Sequence, residues 1–344
     1  MMMRRTLHTT LAAFLLIGLW ANPAQAQNDR SGTAGASYLL VPNTARTVGL
    51  GTGLTSGLSD LNAIEAVEAN PAALTVNDGT SALFSRMEYV ADIGVNSFGV
   101  AQSIGPNQVA LSLKAWDFGD IVETTTNQPQ GGDTFSPTTF VLGLSYARQF
   151  TDRISAGVTV NGLSEEIADM RSFGASVDAG MTYVVGESGL RFGVNLKNFG
   201  PQKSFAGNGL TRTADVQGQP PQAGNSSVNI EAESHELPSM LNFGAAYKRN
   251  VSNNVSATLI GNFRSNSYDM DQYSGGLEFG FMDLLFVRGS YQMANDMDFR
   301  FWQGYNLGAG LNLEVVGTDL KVDYAYRGTD LFDDVQIITA GVTL

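Results

Sequence analysis

The chemically active residues of this chain are ionisable ones, and they stand at every second position among apolar residues. In the segment 190–197, Arg191 and Lys197 occupy one set of alternate positions, and aromatic or aliphatic residues occupy the other. Side chains of a β-strand alternate between its two sides, so such charges share a polar face. We expect them to pair with one another and with a segment inside a barrel, in preference to lining a selective aqueous pore. Eleven positions follow this rule: Arg86, Glu88, Lys114, Arg148, Arg191, Lys197, Lys248, Glu278, Arg288, Lys321 and Asp323.

Residues for catalysis are missing from the sequence. It has no cysteine, and after residue 26 its one histidine is His235. A Ser-His-Asp triad or a His-rich metal site therefore lacks partners, and we predict a solvated loop position for His235. Acidic residues in the links between strands could ligate calcium, but their spacing matches no EF-hand and favours plain solvation. We predict no enzymatic activity, no cofactor and no metal site.

The elements that must position the charges are short segments of strict apolar/polar alternation. Each is about as long as a tilted strand that crosses a bilayer, and their even number is typical of bacterial outer-membrane barrels. About fourteen are predicted, at 81–89, 94–103, 108–116, 140–150, 154–163, 172–185, 190–198, 240–249, 255–264, 272–281, 285–292, 305–313, 318–326 and 335–344.

The links between these segments alternate in length. Short periplasmic turns and long outer loops are a signature of outer-membrane barrels. Tight turns are predicted at 105–107, 151–153, 186–189, 250–254, 282–284 and 316–317, and longer links at 117–139, 164–171, 199–239, 265–271, 293–304 and 327–334. The link 90–93 is the exception, because it should be long and is short. The pattern predicts an all-β, up-and-down antiparallel transmembrane barrel over residues 81–344, with a long outer loop at about 199–239.

Closure decides which face of each strand meets lipid. About fourteen strands enclose a lumen too wide for apolar side chains to fill, so we expect the polar faces to point inward. Residues 27–80 lack sustained alternation but contain apolar residues and a short helix predicted over 61–69. We expect this region to be a plug, or hatch, inside the lumen, with a disordered periplasmic tail as the alternative. Phe84 and Phe286 are the inward apolar candidates.

Residues 1–26 have the features of a secretory signal peptide. Arg4 and Arg5 precede an apolar stretch, and Ala24-Gln25-Ala26 is a cleavage site of the A-x-A type. Without this segment, 18 basic residues face 33 acidic ones, a net charge of −15. Nucleic acid is therefore excluded as a partner, because phosphate binding needs clustered cations. The mean hydropathy of −0.04 suits a barrel, since half of every strand faces water.

Several segments resemble a known family. "GASYLLVPNTARTVGLGTG" followed by "ANPAAL" is similar to the N-terminal region of PorV/PorQ-type proteins, which are relatives of the FadL long-chain fatty-acid transporters. "LGLSYARQFTDRISAGVTVNGLSEEI", "GLRFGVNLKNFGPQKSF" and "GTDLKVDYAYR" resemble successive barrel strands of that family. The chain departs from the pattern at Ala69 and Ala73, where the family usually has an aromatic residue and a glycine.

The resemblance implies a fourteen-stranded FadL-like barrel in the outer membrane, with the motif Asn70-Pro71-Ala72 inside it. It also implies a non-enzymatic role of the PorV type in type IX secretion. The partners would be outer-membrane lipid, the secretion translocon and the C-terminal signal domains of cargo, bound through the outer loops. The alternative is a FadL-like transporter of hydrophobic small molecules. A third possibility, a general porin, needs an open lumen, against which residues 27–80 argue.

Overall fold

The computed structural model describes residues 32–58, 61–76, 79–124, 126–214, 226–294, 304–315, 317–329 and 333–344. The predicted signal peptide, residues 1–26, lies outside the described residues. No helix among the described residues is long and apolar enough to cross a bilayer.

Fourteen long strands dominate the chain, and all of them lie where alternation predicts them. Several extend one to four residues beyond the predicted bounds. They are β1 (Thr80–Glu88), β2 (Gly94–Ile104), β3 (Asn107–Asp117), β4 (Thr138–Thr151), β5 (Ile154–Ile167), β6 (Met170–Val184), β7 (Leu190–Phe199), β8 (Met240–Ser252), β9 (Val255–Asn266), β10 (Gln272–Phe281), β11 (Leu285–Ala294), β12 (Gly304–Val315), β13 (Thr318–Arg327) and β14 (Val335–Thr343).

These strands form one closed antiparallel sheet. Each pairs with its neighbours in sequence, and β1 pairs with β14 from Ser81↔Thr343 to Glu88↔Gln336. Every strand thus has two partners, and no strand edge is left with unpaired amides, as a hydrocarbon environment requires. The prediction of an up-and-down antiparallel barrel of about fourteen strands is confirmed.

The two faces of the wall differ as the alternation predicts. On β1, Ser81 and Ser85 are buried toward the interior, whereas Phe84 between them is 50% exposed on the outside. The same division recurs around the barrel, with apolar side chains exposed outside and serine, threonine and asparagine buried inside. An apolar exterior of this kind is what a barrel in lipid presents. The expectation that Phe84 points inward is wrong, while Phe286 is buried on the inward face of β11.

Links of unequal length lie at the two ends of the barrel, which we name the short-turn end and the long-link end. At the long-link end, the link between β3 and β4 carries a small ladder, and the link between β7 and β8 carries another, formed by Thr211–Ala214 and Ser226–Asn229. The predicted long link 164–171 is wrong. There β5 and β6 continue to a two-residue turn, in which Ala168 adopts a φ of 50°.

The chain before β1, residues 32–76, is called the N-terminal segment here. It contains α1 (Ala45–Gly49), α2 (Ala63–Ala69) and three short 3₁₀ helices at Ser37–Leu40, Leu54–Ser56 and Pro71–Val76. Its start bonds to the long-link end, since Gly35 N donates to Glu236 O at 3.0 Å. Its finish contacts the short-turn end, where Thr75 Oγ1 donates to Ser155 Oγ at 2.8 Å. The segment therefore runs down the interior of the barrel.

The N-terminal segment has an apolar core of its own that includes part of the wall. Leu50, Leu54, Leu58 and Leu61 are buried together with Ala246 and Ile260 of β8 and β9. Burying a leucine side chain contributes about 1.5–3 kcal/mol, so this cluster is a substantial part of what holds the segment inside the barrel.

Candidate functional site

The candidate site is the interface between the N-terminal segment and the inner wall. Eight of the eleven predicted lumenal charges lie on the inward face: Lys114, Arg191, Lys197, Lys248, Glu278, Arg288, Lys321 and Asp323. The other three correct the prediction. Arg86 and Glu88 share the outward face of β1 with Phe84, and Arg148 shares that of β4 with Tyr146. All three lie near strand ends, where an outward charge can reach water. An inward position next to each is occupied by an apolar residue instead.

A buried charge network joins the segment to three strands. Arg46 of α1 makes two hydrogen bonds to Glu278 of β10, from Nη2 to Oε1 at 2.7 Å and from Nε to Oε2 at 3.0 Å. Arg288 of β11 bonds to the same Glu278 and also to Asp323 of β13. Each carboxylate is thus shared or paired, which is how buried charges are tolerated. Arg46 was not among the predicted site residues, because its segment shows no alternation.

A further acid, Glu65 of α2, lies beside this network. Its Oε2 accepts a hydrogen bond from Asn62 N at 3.1 Å. Burial, and then the charge of Asp323, raise the pKa of the Glu65 carboxyl from 4.5 to about 7, while Arg46, Lys321 and Arg288 act in the opposite direction. The Glu65 carboxyl therefore titrates near neutral pH, where an exposed glutamate is fully ionised.

Inward glycines of the wall make room for the backbone of the segment. A Cβ at Gly193 would lie 2.0 Å from Thr55 O, and one at Gly157 would lie 2.5 Å from the carbonyl carbon of Pro71. Gly308 and Gly49 approach so closely that a Cβ on either would lie 3.4 Å from the other's Cα. A side chain at Gly193 or Gly157 would therefore displace the N-terminal segment.

The motif Asn70-Pro71-Ala72 lies at the centre of this contact. Asn70 is fully buried, and its Nδ2 donates to Thr55 O at 2.8 Å, to Met181 O of β6 at 3.2 Å and to Val194 O of β7 at 3.3 Å. Its Oδ1 accepts from Ala72 N at 3.1 Å, and Pro71 begins the last 3₁₀ helix. One amide therefore ties two parts of the segment to two strands.

A cavity of about 90 Å³ lies between the segment and strands β1–β7. One side is apolar, with Leu39, Val41, Leu83, Trp116 and Val141, and it adjoins the apolar cluster around Trp116. The other side is polar and carries Glu68, Lys114, Lys197, Asp178, Asn43 and Asn161. Several water molecules fit such a space, each needing roughly 10–15 Å³, so the cavity can take a small amphipathic molecule after a modest shift.

At the long-link end, the link after β7 folds inward over the segment. Lys203 is buried, and its Nζ lies 2.8 Å from Glu165 Oε1 of β5 and 3.1 Å from the Tyr38 hydroxyl. Two backbone bonds join Lys203 to His235, at 3.0 and 2.9 Å. Burial, and then the Glu165 charge, raise the pKa of Tyr38. We call Lys203, Glu165, Tyr38 and His235 the outer clasp.

The prediction that His235 is solvated is wrong, because its side chain is half-buried in the folded link. Its ring lies 6.3 Å from that of Phe205, and its Nε2 is buried without a hydrogen-bond partner among the described residues. Burial, followed by the charge of Lys203, lowers the pKa of its imidazole. Sequence reasoning missed this because only the folded link brings residues 203 and 235 together. Among the residues that the structure describes, no group of three side chains is suited to hold a metal ion.

Solved structures of similar shape settle the fold. The CymD monoaromatic hydrocarbon channel superposes with a TM-score of 0.52 at 13% identity, over 88% of this chain and 97% of that one. The Pseudomonas putida toluene transporter TodX gives 0.52 at 12%, over 88% and 97%. A Pseudomonas aeruginosa FadL homologue gives 0.50 at 13%, over 88% and 98%. The fold is that of the FadL-type outer-membrane barrels.

These likenesses establish the FadL-like fold alone. No protein-family model and no curated protein matches the chain. The solved FadL-like barrels are described as channels or transporters, and none of the three is described as an enzyme. The finer resemblance to the PorV/PorQ family stays a prediction.

Proposed function

We propose that this protein is an outer-membrane channel for small hydrophobic compounds, in which the N-terminal segment is the plug and its displacement opens the path. The apolar exterior of the closed barrel supports the membrane location. The FadL-like fold supports the class of function, since CymD and TodX are described as a hydrocarbon channel and a toluene transporter.

The observation that carries the proposal is the cavity between the segment and the wall. Its apolar side, formed around Leu83, Trp116 and Val141, lies directly beneath the residues that connect the segment to the outer clasp. A compound that enters from the long-link end would reach this apolar surface once the outer clasp has opened. Ligand sites are concave and combine apolar walls with placed polar groups, and this cavity has one apolar side and one charged side.

A reversible cross-link tests whether the segment must move. The chain has no cysteine, and a Cβ at Gly53 of the segment would lie 3.4 Å from Ser274 Oγ of β10, which suits a disulfide in the double variant G53C/S274C. In vesicles that contain the purified protein, we expect toluene uptake to stop on oxidation and to return on reduction. The reduced double variant is the matched control, because it has the same substitutions. Uptake that is equal in both redox states, or absent from the unmodified protein, would contradict the proposal.

A second candidate function is the predicted role in type IX secretion. Two observations favour it: the N-terminal segment is tied to the wall by the charge network and the outer clasp, and a link ladder, Thr211–Ala214 with Ser226–Asn229, lies outside the barrel sheet. A barrel whose segment stays in place would act through its outer links alone. Deletion of the gene separates the candidates. Loss of exported proteins that carry the C-terminal signal supports secretion, and loss of toluene uptake with intact export supports the channel.

A further inference from the structure

The charges around the cavity belong partly to the barrel wall and partly to the N-terminal segment. Lys114 of β3 and Lys197 of β7 are fixed on the wall, whereas Glu68 belongs to α2 of the N-terminal segment. The wall also supplies Asp178, but both of its oxygens are occupied, by Asn198 N at 2.7 Å and by Asn161 Nδ2 at 3.2 Å. Glu68 is therefore the charge in this cavity that moves with the segment and that a ligand could replace.

Both wall lysines have donors to spare. Lys114 Nζ donates to Val41 O and lies 4.7 Å from the centre of the Trp116 ring, and Lys197 Nζ donates to Glu68 O at 2.6 Å. An ammonium group has three donors, and each of these has one oxygen partner among the described residues. Both acceptors are backbone oxygens of the segment, so they leave when the segment moves.

The carboxylate of Glu68 is held mainly by its own segment. Asn43 N donates to Oε1, and Thr44 Oγ1 donates to Oε2 at 3.2 Å. Burial raises the pKa of Glu68, whereas Lys114 and Lys197 lower it, so the lysines are its chief stabilising charges. When the segment is displaced, Glu68 goes with it, and the two wall cations keep Asp178 as the one carboxylate beside them in the cavity lining, so one positive charge is in excess. Unpaired buried charges are costly.

We infer that Lys114 and Lys197 bind the carboxylate of a compact organic acid, which takes the place of Glu68 and lays its apolar body against Leu83, Val141 and Trp116. The inference rests on the proposed channel function and names a class of compound, besides neutral hydrocarbons, that this site holds. A carboxylate supplies acceptors for both ammonium groups, and charge-assisted bonds of this kind are about twice as strong as neutral ones. A neutral hydrocarbon supplies no acceptor to either ammonium group.

Size limits the apolar part of this acid. A buried cavity of about 150 Å³ accommodates benzene, and the present space is about 90 Å³. An acid with one ring therefore fits only when the coil around Val41 shifts, and that shift also removes the acceptor on which Lys114 now depends.

Three probes of equal size and different charge test the inference on the full mature chain in detergent micelles. They are benzoate, benzyl alcohol and benzylamine, and equilibrium dialysis gives their affinities. We expect benzoate to bind at least tenfold more tightly than the other two, and K114Q and K197Q each to weaken it by about tenfold, which corresponds to one lost charge-assisted bond. K248Q is the control, since Lys248 faces inward on β8 and does not line the cavity.

The variant E68Q makes the inference testable even if the lysine variants do not fold. Glutamine keeps an oxygen for Asn43 N or Thr44 Oγ1 and removes the competing charge, so benzoate should bind several-fold more tightly than it does to the unmodified chain. Equal affinities for benzoate and benzyl alcohol, or an unchanged benzoate affinity in E68Q, would overturn the inference. Neither result would contradict the proposed channel for toluene. If vesicles take up neither toluene nor benzoate while micelles bind benzoate, the channel proposal fails and the site stands.

Discussion

Arg46 and Glu278 form a two-pronged ion pair across the boundary between the N-terminal segment and the barrel wall, with side chains 3% and 2% exposed. The pair joins positions 232 residues apart in sequence. Removing one partner of a buried ion pair typically costs about 3–5 kcal/mol, because the other charge stays buried. In this protein Glu278 keeps Arg288, so the cost falls mainly on the docking of the segment.

The variant R46Q should loosen the segment and leave the barrel intact. We expect docking to weaken by about 3 kcal/mol and amide hydrogens of α1 to exchange faster, while the heat-modifiable gel migration of the barrel is unchanged. R171Q is the control, since the Arg171–Glu166 pair is 63% and 45% exposed and such pairs contribute about 0–1 kcal/mol. Unchanged exchange in R46Q would show that the ion pair does not hold the segment.

The variant G193A should displace Thr55, because the added Cβ would lie 2.0 Å from that residue's carbonyl oxygen. The cost is steric, since Gly193 is in ordinary strand geometry. We expect faster proteolysis in the stretch 52–58 and more leakage of small solutes through the barrel. G261A is the matched control on β9, where an added Cβ meets nothing within 4 Å. Equal proteolysis of both variants would contradict the close contact.

The docking of the segment should weaken as the pH rises toward neutrality. The folded protein raises the pKa of Glu65 from 4.5 to about 7 through burial and the charge of Asp323. When folding raises the pKa of an acid, protonation of that acid stabilises the folded state. Protection of α2 from hydrogen exchange, corrected for the intrinsic pH dependence of exchange, should therefore be greatest below about pH 4.5, decline up to about pH 7 and then level off. The variant E65Q should remove this decline, and a decline that persists in E65Q would assign it to another group.

The variant K203Q should open the outer clasp. Lys203 loses its ion pair with Glu165, whose carboxylate stays buried, at a cost of about 3–5 kcal/mol. We expect faster exchange at residues 34–40 and a larger toluene uptake rate. R212Q is the control on the same link, because among the described residues the Arg212 guanidinium bonds only to carbonyl oxygens of that link, at Gly209 and Thr211. An uptake rate that rises equally in both variants would exclude a specific role for Lys203.

Local pattern was enough to predict much of this protein. Strict alternation placed all fourteen strands, since the two sides of a strand meet different solvents and their side chains must differ. Prediction from alternation failed where the two sides of a strand do not meet clearly different surroundings. The outward positions of Arg86, Glu88 and Arg148 near strand ends allow charge beside water, and the β5–β6 hairpin at Ala168 carries polar residues on a continued strand.

The sequence by itself determined the closed barrel, its strand order and the polar character of its interior, because each follows from a period of two residues and from the need to pair every strand. Only the tertiary structure decided which charges meet. Arg46 with Glu278, Lys203 with Tyr38 and Asn70 with Val194 are contacts between distant parts of the chain. They depend on the paths of the N-terminal segment and of the long link after β7, which have no period of two residues from which their partners could be predicted.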